Sequence, residues 1–346
     1  MIAELIKQLE AGRPLDDAAV KAAVEQLVDE HVAVEAKAEL LTQLAKKGET
    51  FPEIVAFARE LRQRAITPPI APETRTLGMI DVCGTGGDHA GTFNISTTVA
   101  LVLAGAGVPV AKHGNRAITS KSGSADVLEE LGVAVDLPPD RAAESLRQNQ
   151  FAFFFAQAYH PAFKHIGPAR KLCASRGQRT IFNFLGPLLN PARPEAQVIG
   201  VPMPELCEPI ARALQALEVR RGLVVCGRIG DQWLDELSTL GENAIAEFYQ
   251  ERALSTSMGN DLAVGFQPAQ MSDLAGLDRQ HNANLIREIL AGRERGPKRD
   301  MVLLNAGAGF LAAGKSRSIL DGVDLAAETI DSGHAERKLA SLVGWR

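Results

Sequence analysis

Over the first 65 residues the apolar positions recur at helical spacing. Ile2, Leu5, Ile6 and Leu9 form one stripe, Val20, Val24, Leu27 and Val28 a second, and Leu40, Leu41 and Leu44 a third. Gly12 and Gly48 sit where helices should stop, since glycine enters the left-handed C-terminal conformation without a steric penalty. Thr50 followed by Glu53 predicts a capping box that opens a fourth helix through about Arg64. No strand candidate interrupts this stretch. Helices this short need partners, so they should bundle with one another or with a second copy. Ile66-Thr67-Pro68-Pro69-Ile70-Ala71-Pro72 then reads as a stiff linker.

From Met79 the pattern changes to short apolar runs alternating with helices. Strands are expected at Met79 to Cys83, Val108 to Ala111, Val133 to Val135, Phe151 to Ala156, Val198 to Val201 and Gly222 to Cys226. Helices are expected at Val99 to Ala106, around Val127, Leu128 and Leu131, over Pro161 to Ser175 and over Pro204 to Leu217. This alternation predicts an α/β chain: a small all-helical N-terminal domain, then a large domain whose mainly parallel central sheet is flanked by helices. No internal repeat or low-complexity tract appears.

The chemistry concentrates where the first strand ends. Asp81-Val82-Cys83-Gly84-Thr85-Gly86-Gly87-Asp88 leaves a strand, and Asn94-Ile95-Ser96-Thr97-Thr98 leads into a helix. Glycines turn successive backbone N–H groups toward one point, and a following helix adds its own unpaired N–H groups and the positive end of its dipole. Taken alone, Gly84 to Gly87 could equally be a tight turn. It fits neither the dinucleotide fingerprint nor the P-loop spacing. The next strand runs into Lys112-His113-Gly114-Asn115-Arg116 and then Ser120-Lys121-Ser122-Gly123-Ser124-Ala125-Asp126, a second loop rich in donors. In an open parallel sheet such loops gather at one edge, so two independent loops should converge on one phosphate-bearing ligand. Asp235-Glu236 is the second centre. Adjacent carboxylates beyond a strand can offer hard oxygen ligands to Mg²⁺, although acidic pairs are also common on surfaces.

Composition narrows the classes. At 346 residues and 46% hydrophobic content the chain can bury a large core, and a net charge of −5 argues against a general nucleic-acid or membrane-surface binder. No apolar run approaches the roughly 18 residues of a membrane span, and Met1-Ile2-Ala3-Glu4 lacks the basic start of a signal peptide. Cys83, Cys173, Cys207 and Cys226 lack metal or redox spacing and read as reduced thiols. His160 and His165 are poorly spaced for zinc.

Together Gly84-Thr85-Gly86-Gly87-Asp88, Thr92-Phe93-Asn94-Ile95-Ser96-Thr97, Lys112-His113-Gly114-Asn115-Arg116 and Ser122-Gly123-Ser124-Ala125-Asp126 resemble the signature of the anthranilate phosphoribosyltransferases. The resemblance runs through most of the chain to Asp331-Ser332-Gly333. It implies a pentosyltransferase that moves the phosphoribosyl group of 5-phosphoribosyl 1-diphosphate to the amine of anthranilate and releases pyrophosphate, the second step of tryptophan biosynthesis. It places the donor substrate at Gly84, Gly87, Asp88, Thr92, Asn94, Ile95, Ser96, Thr97, Lys112, His113, Gly114, Asn115, Arg116, Ser120 and Ser124. Anthranilate is implied at Gly84, Asn115, Arg170 and His113, and Mg²⁺ at Ser96, Asp235 and Glu236, with no covalent nucleophile. Thr180 to Pro191 is implied to return to the helical domain, giving a discontinuous small domain of residues 1–72 with about 160–191 and a large one of 73–159 with about 192–346. A cytoplasmic homodimer through the N-terminal helices is the accompanying expectation, with small-molecule substrates and neither nucleic acid nor membrane as partner.

Three departures bear on the acceptor and the metal loop. Lys171 to Gln178 is longer than usual, which makes Arg176 a rival to Arg170; Trp233 stands where glycine is common, and so does His89. Two alternatives stay open at this level, a nucleoside phosphorylase using free phosphate and a non-catalytic nucleic-acid-binding paralogue.

Overall fold

The computed structural model describes residues 1–88, 90–117, 122–250, 252–263 and 265–345. The chain forms two units, Met1–Ile66 with Gln157–Pro191 and Thr67–Ala156 with Ala192–Arg346.

The first unit is helical. Helices Ile2–Glu10, Asp17–Val28, Val34–Lys47 and Phe51–Gln63 follow the predicted stripes. They are joined by Phe163–Ser175, packed on Val34–Lys47 and Asp17–Val28, and by Phe182–Leu188, packed on Phe51–Gln63. Val20, Val24, Leu27, Leu41, Leu44, Ile166 and Cys173 fill the interior. The caps explain the boundaries. The Asp16 carboxylate accepts from Ala19 N–H at 2.8 Å, Gly48 ends its helix at φ 87°, and Thr50 and Glu53 form the expected box. Glu53 has no exposed surface, yet it is fully occupied: it accepts from Leu15 N–H at 2.9 Å, Lys47 Nζ at 2.7 Å, and Thr50 N–H and hydroxyl at 2.8 and 2.7 Å. The unit boundary falls at Ile66, whose N–H meets the Tyr159 carbonyl at 2.9 Å. The rest of the predicted linker belongs to the second unit, where Arg75 reaches the Ala192 carbonyl at 3.2 Å.

The described residues of the second unit form an eight-stranded sheet. Its strands are β1 Ile80–Gly84, β2 Val110–Gly114, β3 Phe151–Phe155, β4 Ala196–Gly200, β5 Arg221–Ile229, β6 Gln232–Leu234, β7 Asn243–Tyr249 and β8 Ser255–Gly259. The order is β3-β2-β1-β4-β5-β7-β8, with β6 on β5. Strands β3 to β5 run parallel, and β6, β7 and β8 pair antiparallel. The parallel part was legible because buried strands give unbroken apolar runs; the antiparallel edge was not, since β8 is mostly exposed and polar. Helices Ile95–Gly105, Pro297–Ala312, Ile319–Asp331 and His334–Leu342 pack together around Leu101, Leu103, Met301, Leu304 and Phe310.

Three expectations shift. Val133 to Val135 is a buried connector rather than a strand: Gly132 ends the preceding helix at φ 87°, and Val133 makes a single bridge, to Val343. The helix expected from Val99 begins at Ile95, so the polar "cap" is already its first turn. The strand expected to end at Ala111 continues to Gly114, which puts Lys112 and His113 on β2 instead of in a loop.

Candidate functional site

The sheet has a topological switch at β1. The chain runs outward through β2 and β3, then returns to the other side of β1 with β4. Loops beyond the carboxyl ends of adjacent strands diverge there and leave a crevice. Strand β1 pairs with β4 from Ile80–Ala196 to Gly84–Gly200, but with β2 at Ile80–Val110. Where β1 and β2 separate, side chains take over the backbone's hydrogen bonds: Lys112 Nζ donates to the Val82 carbonyl at 2.7 Å, and Asp81 accepts from His113 N–H at 3.3 Å. Lys112 is therefore buried with its ammonium at the crevice. Burial lowers its pKa, against the opposing charges of Asp81, Cys83 and Glu236.

Above the strand ends lies a cavity of about 490 Å³, entirely within the second unit. Gly84, Gly87, Asp88, Thr92, Asn94, Ile95, Ser96, Thr97, Lys112, His113, Gly114, Asn115, Ser124, Asp235 and Glu236 all line it. Gly86 and Gly87, at φ 74° and 87°, shape the amide-lined turn. The two donor loops are tied by Asn94, whose amide donates to the Ser122 carbonyl at 3.0 Å while its oxygen accepts from Asn282 at 3.0 Å. Arg116 stands apart: it pairs with both Glu129 oxygens at 2.5 and 2.6 Å and does not line the cavity. Ser120 and His89 lie outside the described residues.

The acid pair enters from the turn after β6. Asp235 accepts from Gly86 N–H at 2.7 Å, and Glu236 lies near the first turn of helix Ile95–Gly105, where the Ser96 N–H works to lower its pKa. Asp88 caps its own turn by accepting from Ala90 N–H at 3.1 Å and turns its other oxygen to the Asp235 N–H at 3.5 Å. Three partly exposed carboxylates thus share one corner of the cavity. Burial, then the Asp88 charge, pushes Asp235 up to about 8; burial and Asp235 hold Glu236 well above its ordinary range. Burial and Asp81 push the Cys83 thiol up as well, which makes it a poor nucleophile.

This corner fits a small hard cation. Two carboxylates and the Ser96 hydroxyl are oxygen donors, and added positive charge would relieve the repulsion that raises Asp235 and Glu236. Among the described residues no cluster of three or more His, Cys, Asp or Glu side chains is arranged to hold a metal. A cation here would complete its shell with water and ligand oxygens, as Mg²⁺ commonly does.

Arg170 belongs to the first unit, on helix Phe163–Ser175, with its guanidinium 5.0 Å from the Phe182 ring centroid. Burial lowers its pKa, and among the described residues no carboxylate lies within ion-pair distance. Its rival Arg176 is exposed beyond the end of that helix.

Sequence reasoning missed Gly200. A Cβ at Gly84 or at Gly200 would collide with Asp235, so both must be glycine for the acid turn to cross the strand ends. Nothing local signals this, because the colliding segment is distant in the chain.

A family model for the glycosyl transferase family helical bundle domain matches residues 3–65, and one for the a/b domain of that family matches residues 77–336. Anthranilate phosphoribosyltransferase of Pelotomaculum thermopropionicum is 44% identical over 344 residues, covering 99% of this chain and 96% of that protein. That of Caulobacter vibrioides is 44% identical over 339 residues, with 98% and 95% covered. The chain belongs to the anthranilate phosphoribosyltransferase family. Among solved structures of the family, the Thermus thermophilus enzyme superposes with a TM-score of 0.87 at 41% identity, covering 99% and 98% of the two chains. The Saccharomyces cerevisiae family member, solved in complex with PRPP and Mg, has a TM-score of 0.87 at 24% identity, which speaks to the fold.

Proposed function

We propose that the chain transfers the phosphoribosyl group of 5-phosphoribosyl 1-diphosphate to the amine of anthranilate and releases pyrophosphate. The observation that carries this reading is that the amide-lined hollow and the acid turn open on one cavity. A diphosphate sugar offers two anionic ends, and the cavity has two matching features. Backbone N–H groups at Gly84, Gly87 and Asp88, the first turn at Asn94 to Thr97 and the Lys112 ammonium would hold the phosphates. Gly114, Asn115, Thr92 and Ser124 would complete the wall.

Ser96, Asp235 and Glu236 would hold Mg²⁺, which when bound supplies positive charge beside the departing pyrophosphate. Breaking the C1–O bond builds positive charge on the ribose, as in glycoside hydrolysis, and a preorganised anion cradle favours that separation. Anthranilate's aromatic amine is neutral and nucleophilic, so the chain has to position it rather than deprotonate it first. Arg170, desolvated and without a carboxylate partner among the described residues, suits a carboxylate such as that of anthranilate; in the α/β unit, Gly84, His113 and Asn115 line the cavity.

Assembly of two copies through the N-terminal helices is the accompanying proposal, which the molecular mass in solution would test. No helix among the described residues is long and apolar enough to cross a membrane, which suits an enzyme working in the cytoplasm. The phosphorylase and nucleic-acid readings are not favoured, because the chain is 44% identical over nearly its full length to an anthranilate phosphoribosyltransferase. Anthranilate fluorescence tests the proposal directly: it should decay when phosphoribosyl diphosphate and Mg²⁺ are both added and persist when either is withheld. Consumption of other aromatic amines but not anthranilate would overturn the acceptor.

A further inference from the structure

The turn that carries Asp235 and Glu236 is gripped from below by side chains with no place in the cavity wall. Asn305, 3% exposed on helix Pro297–Ala312, takes hold of the next residue, Leu237, at both backbone groups: its Oδ1 accepts from Leu237 N–H at 2.8 Å, and its Nδ2 donates to the Leu237 carbonyl at 2.9 Å. The same Nδ2 donates to the Met301 carbonyl one helical turn back, at 2.9 Å, so the amide orientation is fixed at both ends. Asn243, 2% exposed at the start of β7, treats Ser238 in the same way: its Oδ1 accepts from Ser238 N–H at 2.7 Å, and its Nδ2 donates to the Ser238 carbonyl at 2.8 Å. Each amide acts as a strand partner would, on a segment that belongs to no ladder.

Glycines close the grip from the sheet side. A Cβ at Gly227 would stand 2.5 Å from Ser238 N and 2.6 Å from the Glu236 carbonyl. The turn therefore has no room to move toward β5. It also has reason to move away, because it must keep two carboxylates beside Asp88 in one corner of the cavity, where like charges repel.

We infer that Asn305 is a positioning residue for metal binding: by clamping Leu237 it fixes the backbone that aims Asp235 and Glu236 at a shared cation. This rests on the proposed Mg²⁺ site at that pair. A merely structural amide would cost stability when removed and leave metal affinity alone. A positioning amide costs metal affinity in protein that remains folded, by about 10- to 100-fold where outer-shell partners have this role.

The test is Mn²⁺ binding to the full chain, followed by electron paramagnetic resonance below the melting transition and independent of turnover. Parent chain and the double variant Asp235→Asn, Glu236→Gln come first; if the parent binds no Mn²⁺ in the cavity, or the double variant binds it as well, the metal reading itself fails. With that established, Asn305→Ala should weaken Mn²⁺ binding about 10- to 100-fold. Asn305→Ser supplies a milder truncation should the alanine variant not fold. Leu311→Ala, a packing truncation farther along the same helix, should lower the melting temperature while leaving Mn²⁺ affinity at the parent value. In steady state the Asn305 variants should require more Mg²⁺ with anthranilate KM unchanged. Parent-like Mn²⁺ affinity in a folded Asn305 variant would overturn the inference, and so would an equal loss in Leu311→Ala.

Discussion

Each unit holds carboxylates whose pKa is displaced from the ordinary range, and the two displacements run in opposite directions. In the helical unit burial alone would raise the Glu53 pKa, but the N–H of Leu15, the Lys47 ammonium and the Thr50 donors hold it below its ordinary value. In the α/β unit burial and neighbouring acids drive Asp235 and Glu236 upward, and Gly86 N–H, Ser96 N–H and Lys112 do not offset them. The first arrangement is complete and serves the fold. The second is complete only with added positive charge, and it lies in the wall of the cavity. A buried acid with all its partners is a structural element; crowded acids short of them mark a place where something binds.

The contrast gives opposite expectations for mutation. Glu53→Ala strands a buried Lys47, so chemical denaturation should show a loss of about 3–5 kcal/mol, while folded protein keeps its Mn²⁺ affinity. Asp235→Asn with Glu236→Gln should lower kcat/KM about 10²- to 10³-fold without lowering the melting temperature, since it removes repulsion rather than support. Instability like that of Glu53→Ala, together with intact turnover, would reverse the distinction.

Arg170 is the cationic counterpart of the acid pair, a desolvated charge without a carboxylate partner among the described residues. Arg170→Ala should raise the anthranilate KM about tenfold or more, as loss of a hydrogen bond to a charged group implies. Arg176→Ala should leave it unchanged. If the two variants exchange these results, the acceptor site belongs to Arg176.

The smallest effect is a difference in sign with pH. Burial holds His160, stacked on Phe163, down to about 4, so the unfolded chain protonates first and this stability is lost as pH falls from about 6.5 through 4. Glu53, also depressed, acts in the same direction at the acid end. Asp235, raised to about 8, does the opposite: without metal, the folded chain binds the proton first, and stability declines as pH rises from about 4 toward 8. Melting curves in a chelator for the parent and for Asp235→Asn should therefore converge at low pH and separate near neutrality, with the parent lower. Parallel curves would remove Asp235 from that account.

The sequence was most legible where local chemistry decides. The stripes, the Thr50–Glu53 box and the apolar parallel strands depend on spacing within one element, and they stand where spacing put them. That two loops converge was legible because loops beyond the carboxyl ends of adjacent parallel strands gather at one edge, and they do line one cavity. Legibility failed where distant segments decide. Lys112 is on a strand because β2 stays paired with β3 as far as Gly114, and its ammonium fills the gap at Val82 where β1 and β2 part. Arg116 has Glu129 within reach on the following helix. Gly200 and Asn305 acquire meaning only when the turn after β6 is laid across them.

The central claim is that one ligand spans the amide turn beginning at Gly84 and the acid turn at Asp235. A crystal structure of the chain with phosphoribosyl diphosphate and Mn²⁺, using the metal's anomalous signal, tests it most directly. The account predicts a metal peak within coordinating distance, about 2.0–2.2 Å, of Asp235 or Glu236 and of a diphosphate oxygen, with the ligand phosphates on the backbone amides of the Gly84 to Asp88 turn. A diphosphate bound away from that turn, or a metal peak remote from both carboxylates, would contradict it.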